Sequence, residues 1–131
     1  MKKRVRYLSL DDVYLIVEEL RRAYPRDFIR VMNRGVIESA LEAARYAGSG
    51  LRSFRARVAA KAATLLFLLV TSHPLTDGNK RFTHLVVEAF LEVNGYSIRP
   101  DVLEALILDA ASLSVGPEGI YKVLYRSLFR G

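Results

Sequence analysis

The sequence predicts an all-α fold, and two features of its patterning indicate this. Apolar residues recur at helical spacing in six segments separated by Pro, Gly and Asn. No segment alternates apolar and polar residues with the period of two that marks a half-buried strand. The 131 residues are 51% hydrophobic and 26% charged, a composition typical of a folded chain. We therefore expect one domain, residues 1–131, built as a bundle of about six helices.

Local signals indicate where each helix begins and ends. Ser9 followed by Asp12 is typical of a capping box, Pro25 ends the first helical pattern, and residues 25–34 are expected to form a loop. The predicted helices run from about Leu10 to Tyr24, from Gly35 to near Gly48, from about Ser53 to Ser72, from Phe82 to Val93, from about Asp101 to Ser112, and from about Pro117 to Leu128.

The third helix is predicted to lie at the centre of the bundle, because it is apolar on every side from Ala62 onward. Its uncharged stretch, Ala62 to Thr76, is shorter than the ~20 residues that a membrane span needs. Asp11 and Asp12 interrupt the basic start of the chain too early for a signal peptide. The chain has no cysteine, which excludes disulfides, a thiolate zinc site and a thiol nucleophile. We expect a cytoplasmic protein without a membrane partner.

The charge balance favours an anionic partner. Twenty Lys and Arg against fourteen Asp and Glu give a net charge of +6, which suits nucleotide phosphates, an acidic protein or nucleic acid. Nucleic acid is disfavoured, because neither a helix-turn-helix signature nor interleaved aromatic and basic residues are present. The arginines are expected to form a solvated basic face or a docking surface for an acidic protein: Arg4, Arg21, Arg22, Arg26, Arg30, Arg34, Arg45, Arg52, Arg55 and Arg57.

A polar loop interrupts the two most apolar helices and is the candidate functional site. Its nine residues are His73-Pro74-Leu75-Thr76-Asp77-Gly78-Asn79-Lys80-Arg81. Gly78 can bring the backbone close to a ligand just where the next helix presents unpaired N–H groups, which makes an anion site. Lys80 and Arg81 add cations at the helix end where the dipole disfavours them by ~0.3 to 1 kcal/mol each, which indicates a bound anion.

Two further side chains in this loop suggest chemistry on a phosphate. Asp77 is the kind of single carboxylate that Mg²⁺ takes from a protein when phosphates supply other ligands. His73 is a candidate general base, because histidine readily accepts a proton near neutral pH. The alternative is a structural turn, in which Asp77 and Asn79 cap the next helix and His73 is buried.

The loop strongly resembles the HPFx(D/E)GN(G/K)R motif of the Fic/Doc superfamily, and its lysine resembles the Doc (death-on-curing) branch. Three other segments also resemble Doc-type chains: Tyr7 to Val13, Arg34 to Leu41, and Phe90 to Tyr96. The resemblance implies a Fic/Doc-type helical bundle with the motif loop between two core helices. It implies a toxin that transfers part of ATP to a protein hydroxyl, with a translation elongation factor as candidate target and a Phd-like antitoxin as partner.

Roles for the loop residues follow from the same resemblance. His73 would deprotonate the target hydroxyl, Asp77 would hold Mg²⁺ on the phosphates of ATP, and the anion hole would be formed by Gly78, Asn79, Lys80 and Arg81. Leu75 replaces the family's phenylalanine and is expected to serve as an apolar anchor.

Lys80 and His84 differ from the adenylyl-transferring relatives, which resemble HxFxxGNGRxxR. Those proteins have glycine at the position of Lys80 and a second arginine at the position of His84. Doc-like proteins share both changes and are understood to bind ATP in the reverse sense. Transfer of the γ-phosphate is therefore our first hypothesis; adenylylation, or an inactive binding module, is the alternative.

Ser114 to Gly119 matches the (S/T)xxxE(G/N) pattern of an inhibitory helix in some Fic proteins. Gly116 and Pro117 do not suit such a helix, and the second motif arginine that its glutamate would pair with is missing. We therefore interpret Glu118 as a residue in the first turn of the last helix and expect inhibition to come from another chain.

Overall fold

The computed structural model describes residues 3–131. It confirms the all-α prediction. The elements are α1 (Leu10–Ala23), α2 (Arg34–Tyr46), α3 (Phe54–Ser72), α4 (Asn79–Val93), β1 (Tyr96–Ser97), α5 (Pro100–Ala111), α6 (Pro117–Ser127) and β2 (Phe129–Arg130). Among the described residues, none of the helices has the length and apolar character needed to cross a membrane.

The first three helices begin at side-chain caps. The Ser9 hydroxyl accepts a hydrogen bond from the Asp12 N–H at 3.1 Å, and the Asp12 carboxylate accepts one from the Ser9 N–H at 2.8 Å. This confirms the predicted capping box. Asn33 caps α2 and Ser53 caps α3 by the one-way bond alone, since their side-chain oxygens accept from the N–H groups of Val36 and Ala56. These caps satisfy N–H groups that the helix itself leaves without acceptors, so they define where each helix starts.

Helix α3 is the central element, as predicted from its all-round apolar sequence. It packs against α2, α4, α5 and α6, while α1 covers α4 and α2. Residues on every face of α3 are buried, among them Val58, Leu66 and Val70. The motif loop begins where this central helix ends, so the site rests directly on the core.

The expectation that no strand would be found needs a correction. Strands β1 and β2 form an antiparallel pair in which Tyr96 faces Arg130, and an isolated bridge joins Val31 to Leu75. Each strand has two residues, which is too short to show a period-two pattern. The partners are also far apart in sequence, so local signals could not reveal the pairing.

The arginines are not all part of a solvated face. Arg57 is only 5% exposed. Arg55 donates to the carbonyl oxygens of Tyr125 and Leu128, each at 2.6 Å, and so ties the start of α3 to the end of α6. A guanidinium carries five donors in a fixed fork and can satisfy several orphan carbonyls at once. Part of the basic excess is therefore structural.

Candidate active site

The motif loop forms one wall of an open cleft of about 650 Å³. All the residues predicted for the site line it: His73, Asp77, Gly78, Asn79, Lys80 and Arg81. Val70 and Ala111 contribute an apolar side, and Asp27 contributes a carboxylate from the segment between α1 and α2. The structure thus brings together the residues predicted for proton transfer, metal binding and anion binding.

His73 lies at the point where the central helix stops. It caps the C-terminus of α3 in a left-handed conformation, with φ 50° and ψ 62°. The residues that follow, Pro74 and Leu75, are buried, whereas His73 is exposed. The backbone therefore turns sharply at His73 and leaves its imidazole at the cleft, where a hydroxyl can approach it.

Gly78 shapes the start of α4. Its φ of 76° is left-handed, and it caps the helix without a side-chain hydrogen bond. The first helical bond of α4 runs from the Phe82 N–H to the Gly78 carbonyl at 2.8 Å. The N–H groups of residues 79–81 consequently have no acceptor within the helix. Together with the positive end of the helix dipole, they suit the anion binding predicted from the sequence.

The side chain of Asn79 contacts the loop itself. Its Oδ1 accepts from the Leu75 N–H and its Nδ2 donates to the Leu75 carbonyl, both at 2.9 Å. The carboxamide thus closes the motif loop with two hydrogen bonds, as a pair of backbone N–H and carbonyl groups would. The sequence predicts that Asn79 takes part in anion binding; in the structure its backbone N–H is left for an anion, and its carboxamide bonds to Leu75 and positions the loop.

Lys80 and Arg81 project from the first turn of α4, and both residues are exposed. Arg81 Nη1 lies 3.1 Å from Asp27 Oδ2, and its Cζ lies 4.0 Å from the centre of the Tyr24 ring. Lys80 and Arg81 also line a second groove of about 530 Å³ between α1, α4 and α5. Asp27 and Tyr24 were missed by the sequence analysis, because no local pattern connects them to the motif.

The predicted loop between α1 and α2 packs against the motif loop. The Thr76 hydroxyl accepts from the Arg30 N–H at 2.9 Å and donates to the Phe28 carbonyl at 2.5 Å. Backbone bonds add to this, from the Thr76 N–H to the Arg30 carbonyl at 2.9 Å and from the Met32 N–H to the Pro74 carbonyl at 2.8 Å. Residues 28–32 therefore hold the motif loop in place.

Asp77 fits the single-ligand role predicted for it. The residue is exposed at the cleft, and its Oδ1 accepts a hydrogen bond from the Gly78 N–H at 2.8 Å. Within residues 3–131, no cluster of three or more His, Cys, Asp or Glu could hold a metal ion. A Mg²⁺ ion at Asp77 would depend on phosphate oxygens and water for its other ligands, which is how Mg²⁺ is commonly bound.

The structure also shows where Leu75, His84 and Glu118 lie relative to the motif cleft. Leu75 is 2% exposed, which confirms it as an apolar anchor. His84 lines the second groove and not the motif cleft, and its Nε2 is 3.7 Å from the Glu88 carboxylate. Glu118 is exposed in the first turn of α6 and does not line the cleft, in agreement with its interpretation as an ordinary helix-start residue.

Comparison with known proteins supports the resemblance seen in the sequence. A family model described as the Fic/DOC family matches residues 7–91. No curated protein and no solved structure matches the chain. The matched stretch covers more than half of the 131 residues and includes the whole motif loop, from His73 to Arg81. The chain belongs to the Fic/DOC family.

Proposed function

We propose that this protein is a Doc-like toxin that transfers the γ-phosphate of ATP to a Ser or Thr hydroxyl of a protein, with a translation elongation factor as the candidate target. Membership of the Fic/DOC family indicates ATP-using transfer to a protein. The choice of γ-phosphoryl transfer over adenylyl transfer rests on one observation, the presence of Lys80 in the first turn of α4 at the anion site.

The Lys80 side chain changes what the anion site can accept. Glycine at this position leaves space for phosphates beside the helix N-terminus, whereas a lysine fills that space and adds a positive charge. Adenylyl-transferring relatives use a second arginine on the distal phosphates. This chain has His84 at that position, and His84 lines the neighbouring groove. Both differences favour an ATP molecule that enters in the reverse sense and presents its γ-phosphate near His73.

In the proposed reaction, His73 accepts the proton of the target hydroxyl while the hydroxyl oxygen attacks the γ-phosphorus. The bond between that phosphorus and the oxygen shared with the β-phosphate breaks, and ADP leaves. The backbone N–H groups of residues 79–81, with Lys80 and Arg81, stabilise the charge on the transferring group. A Mg²⁺ ion held by Asp77 would neutralise further phosphate charge. Asn79 and Thr76 keep the loop in the geometry that this requires.

The test compares two labels. The protein is incubated with a cell lysate and ATP labelled at the γ-phosphate or, in parallel, at the α-phosphate. Label from the γ-position on a protein band supports phosphoryl transfer, and label from the α-position supports adenylyl transfer instead. Absence of both labels on any protein, with ATP still bound, indicates an inactive binding module and contradicts the proposal.

A Phd-like antitoxin is the proposed partner in the cytoplasm. Glu118, the glutamate that matches the inhibitory pattern, lies away from the cleft, so inhibition is expected from a separate chain. The second groove shares Lys80 and Arg81 with the cleft, and apolar residues such as Leu85 line it; its two carboxylates, Glu19 and Glu104, mean that an acidic partner would have to direct its charges toward Lys80 and Arg81. An acidic chain seated in this groove would reach the anion site.

Growth measurements test the partner. Expression of the protein alone should slow growth of a host that contains the target, and co-expression of the neighbouring open reading frame should restore it. Normal growth of a host that accumulates the folded, ATP-binding protein would contradict the toxin assignment.

A further inference from the structure

A second cluster of cations lies beside the N-terminal segment, away from the motif loop. It surrounds a cavity of about 360 Å³ lined by Lys3, Arg4, Val5, Tyr7, Ser49, Arg57 and Lys61. Four of these seven residues are basic, and none is acidic. Lys61 lies in α3 twelve residues before His73, which follows the end of that helix; twelve helical residues correspond to about 18 Å at 1.5 Å per residue. The cavity is therefore separate from the proposed active site.

Two of the cations are buried, which is unusual without a counter-ion. Arg57 is 5% exposed and Lys61 is 2% exposed, and they lie one turn apart on the same face of α3. Among the residues that the structure describes, neither forms an ion pair with a carboxylate. Charged groups are rarely buried unless they are paired, because removing them from water costs several kcal/mol.

Neutral carbonyls compensate part of this cost. Lys61 Nζ donates to the carbonyls of Arg45 at 2.7 Å and Ala47 at 3.0 Å, at the negative end of the α2 dipole. Arg57 donates to carbonyls that precede α3 and to that of Lys3 at 3.1 Å. These oxygens satisfy hydrogen bonds but carry no formal charge. Several positive charges around the cavity are left without a negative one.

The surroundings increase the positive charge. Lys3 and Arg4 are exposed at the cavity, and the Arg45 guanidinium lies 4.6 Å from the centre of the Tyr7 ring. None of these three side chains is paired with a carboxylate in the described part of the chain. The Ser49 hydroxyl, 3.4 Å from Lys61 Nζ, adds a polar group at the cavity.

We propose that this cavity is a second anion site, whose ligand is a phosphate or pyrophosphate group. A single carboxylate would leave most of the charge of Lys3, Arg4, Arg57 and Lys61 uncompensated, whereas a phosphate dianion or a pyrophosphate would offset more of it. Guanidinium groups also match phosphate oxygens in geometry. A cavity of this volume admits such a group on a small molecule, or one carried by a side chain of a phosphorylated protein.

The test uses the 131-residue chain with Lys80→Ala and Arg81→Ala introduced to weaken anion binding at the motif loop. Pyrophosphate is titrated while the backbone amide signal of Ser49 and the Nε–H signal of Arg57 are followed by NMR. Both signals are expected to shift with saturation. Addition of Lys3→Ala and Arg4→Ala should weaken this binding by at least tenfold, because it removes two charge-assisted contacts to the phosphate oxygens.

A matched control removes the same charge elsewhere. Arg6→Ala with Arg52→Ala also removes two exposed positive charges, but neither residue lines the cavity; this pair should bind pyrophosphate as the parent does. Acetate at equal ionic strength should cause smaller shifts. Equal weakening by the two pairs, equal shifts with acetate, or shifts confined to the motif loop would overturn the proposal.

The source of the phosphate is distinguished by a second titration with a phosphoserine-containing peptide. Tighter binding of pyrophosphate indicates a free small molecule, and tighter binding of the peptide indicates a phosphorylated protein; both support the anion site. The outcome does not depend on the reaction at the motif loop, because transfer activity is not part of the readout.

Discussion

His73 and Asp77 lie four residues apart in one loop but are expected to act on different species. His73 is exposed at the end of α3, where it can accept a proton from an incoming hydroxyl. Asp77 precedes the anion site, and its carboxylate accepts a hydrogen bond from the Gly78 N–H; we expect this carboxylate to lie beside the phosphates of bound ATP. Replacing them should therefore affect different kinetic parameters.

We expect His73→Ala to reduce transfer by roughly 10² to 10⁴, the usual contribution of general base catalysis, and to leave ATP affinity nearly unchanged. Asp77→Ala should weaken Mg·ATP binding as well as transfer. Calorimetric titration of ATP with and without Mg²⁺, together with single-turnover transfer rates, separates the two effects. Transfer by His73→Ala at the wild-type rate would remove His73 from the mechanism.

Lys80 is the residue on which the choice of reaction depends. Lys80→Gly is expected to lose γ-phosphoryl transfer, because it removes both a charge on the transferring group and the obstacle to the other ATP orientation. Combined with His84→Arg, it should allow weak transfer of α-label. Lys122→Gly is the control, because it also removes an exposed lysine from a helix but lies away from the cleft. Unchanged γ-transfer by Lys80→Gly would remove the physical basis for preferring a kinase.

At the scale of elements, the site depends on how α4 begins. Gly78 is left-handed and provides no side-chain cap, so the free N–H groups of the first turn remain available to a ligand. The starts of α1, α2 and α3 differ, since Ser9, Asn33 and Ser53 satisfy such groups with their own oxygens. Helices α5 and α6 also lack a side-chain cap, but their N-cap residues are not left-handed. Helix α4 is distinguished by the combination of an uncapped first turn, a left-handed N-cap glycine and a position at the cleft.

Gly78→Ala and Gly95→Ala form a matched pair for testing this. Both glycines have positive φ, 76° and 82°, and an added Cβ meets nothing closer than 3.4 Å at Gly78 and nothing within 4 Å at Gly95. Each variant should lose about 1 to 2 kcal/mol of unfolding free energy from left-handed strain, measured by urea denaturation. Only Gly78→Ala should also weaken ATP binding. Equal ATP affinities in the two variants would contradict the anion-site role.

At the scale of the whole molecule, α3 connects the core to both anion sites. Its C-terminal end presents His73 to the motif cleft, and its first half buries Arg57 and Lys61 beside the N-terminal segment. Lys61 joins α3 to the last carbonyls of α2. A buried cation that caps a neighbouring helix is expected to contribute to global stability whether or not an anion is bound.

Lys61→Met should lower the unfolding free energy by about 1 to 3 kcal/mol, because methionine fills a similar volume but leaves the α2 carbonyls without a donor. Lys122→Met is the control, since Lys122 is exposed on α6 and its ion pair with Glu118 is a long surface contact of 4.0 Å. This variant should change the unfolding free energy by at most about 0.5 kcal/mol. Urea denaturation gives both values. Equal stability of the two variants would show that the Lys61 contacts contribute nothing.

The sequence by itself determined the six helices and the motif loop. Helix caps, prolines at helix starts and apolar periodicity act over three or four residues, so they can be read locally; Ser9 with Asp12 is one example. The candidate site could be predicted from the sequence for the same reason, because His73 to Arg81 are contiguous between two helices.

Only the tertiary structure decided which distant residues complete the site and which cations are buried. Asp27 meets Arg81 across 54 positions, and Thr76 meets Arg30 across 46. Strands β1 and β2 also pair over a long distance in sequence. The burial of Arg57 and Lys61 could not be predicted, because a helical pattern does not distinguish them from surface residues. These contacts depend on how the helices pack against α3, and packing is a property of the assembled core that no short window of sequence contains.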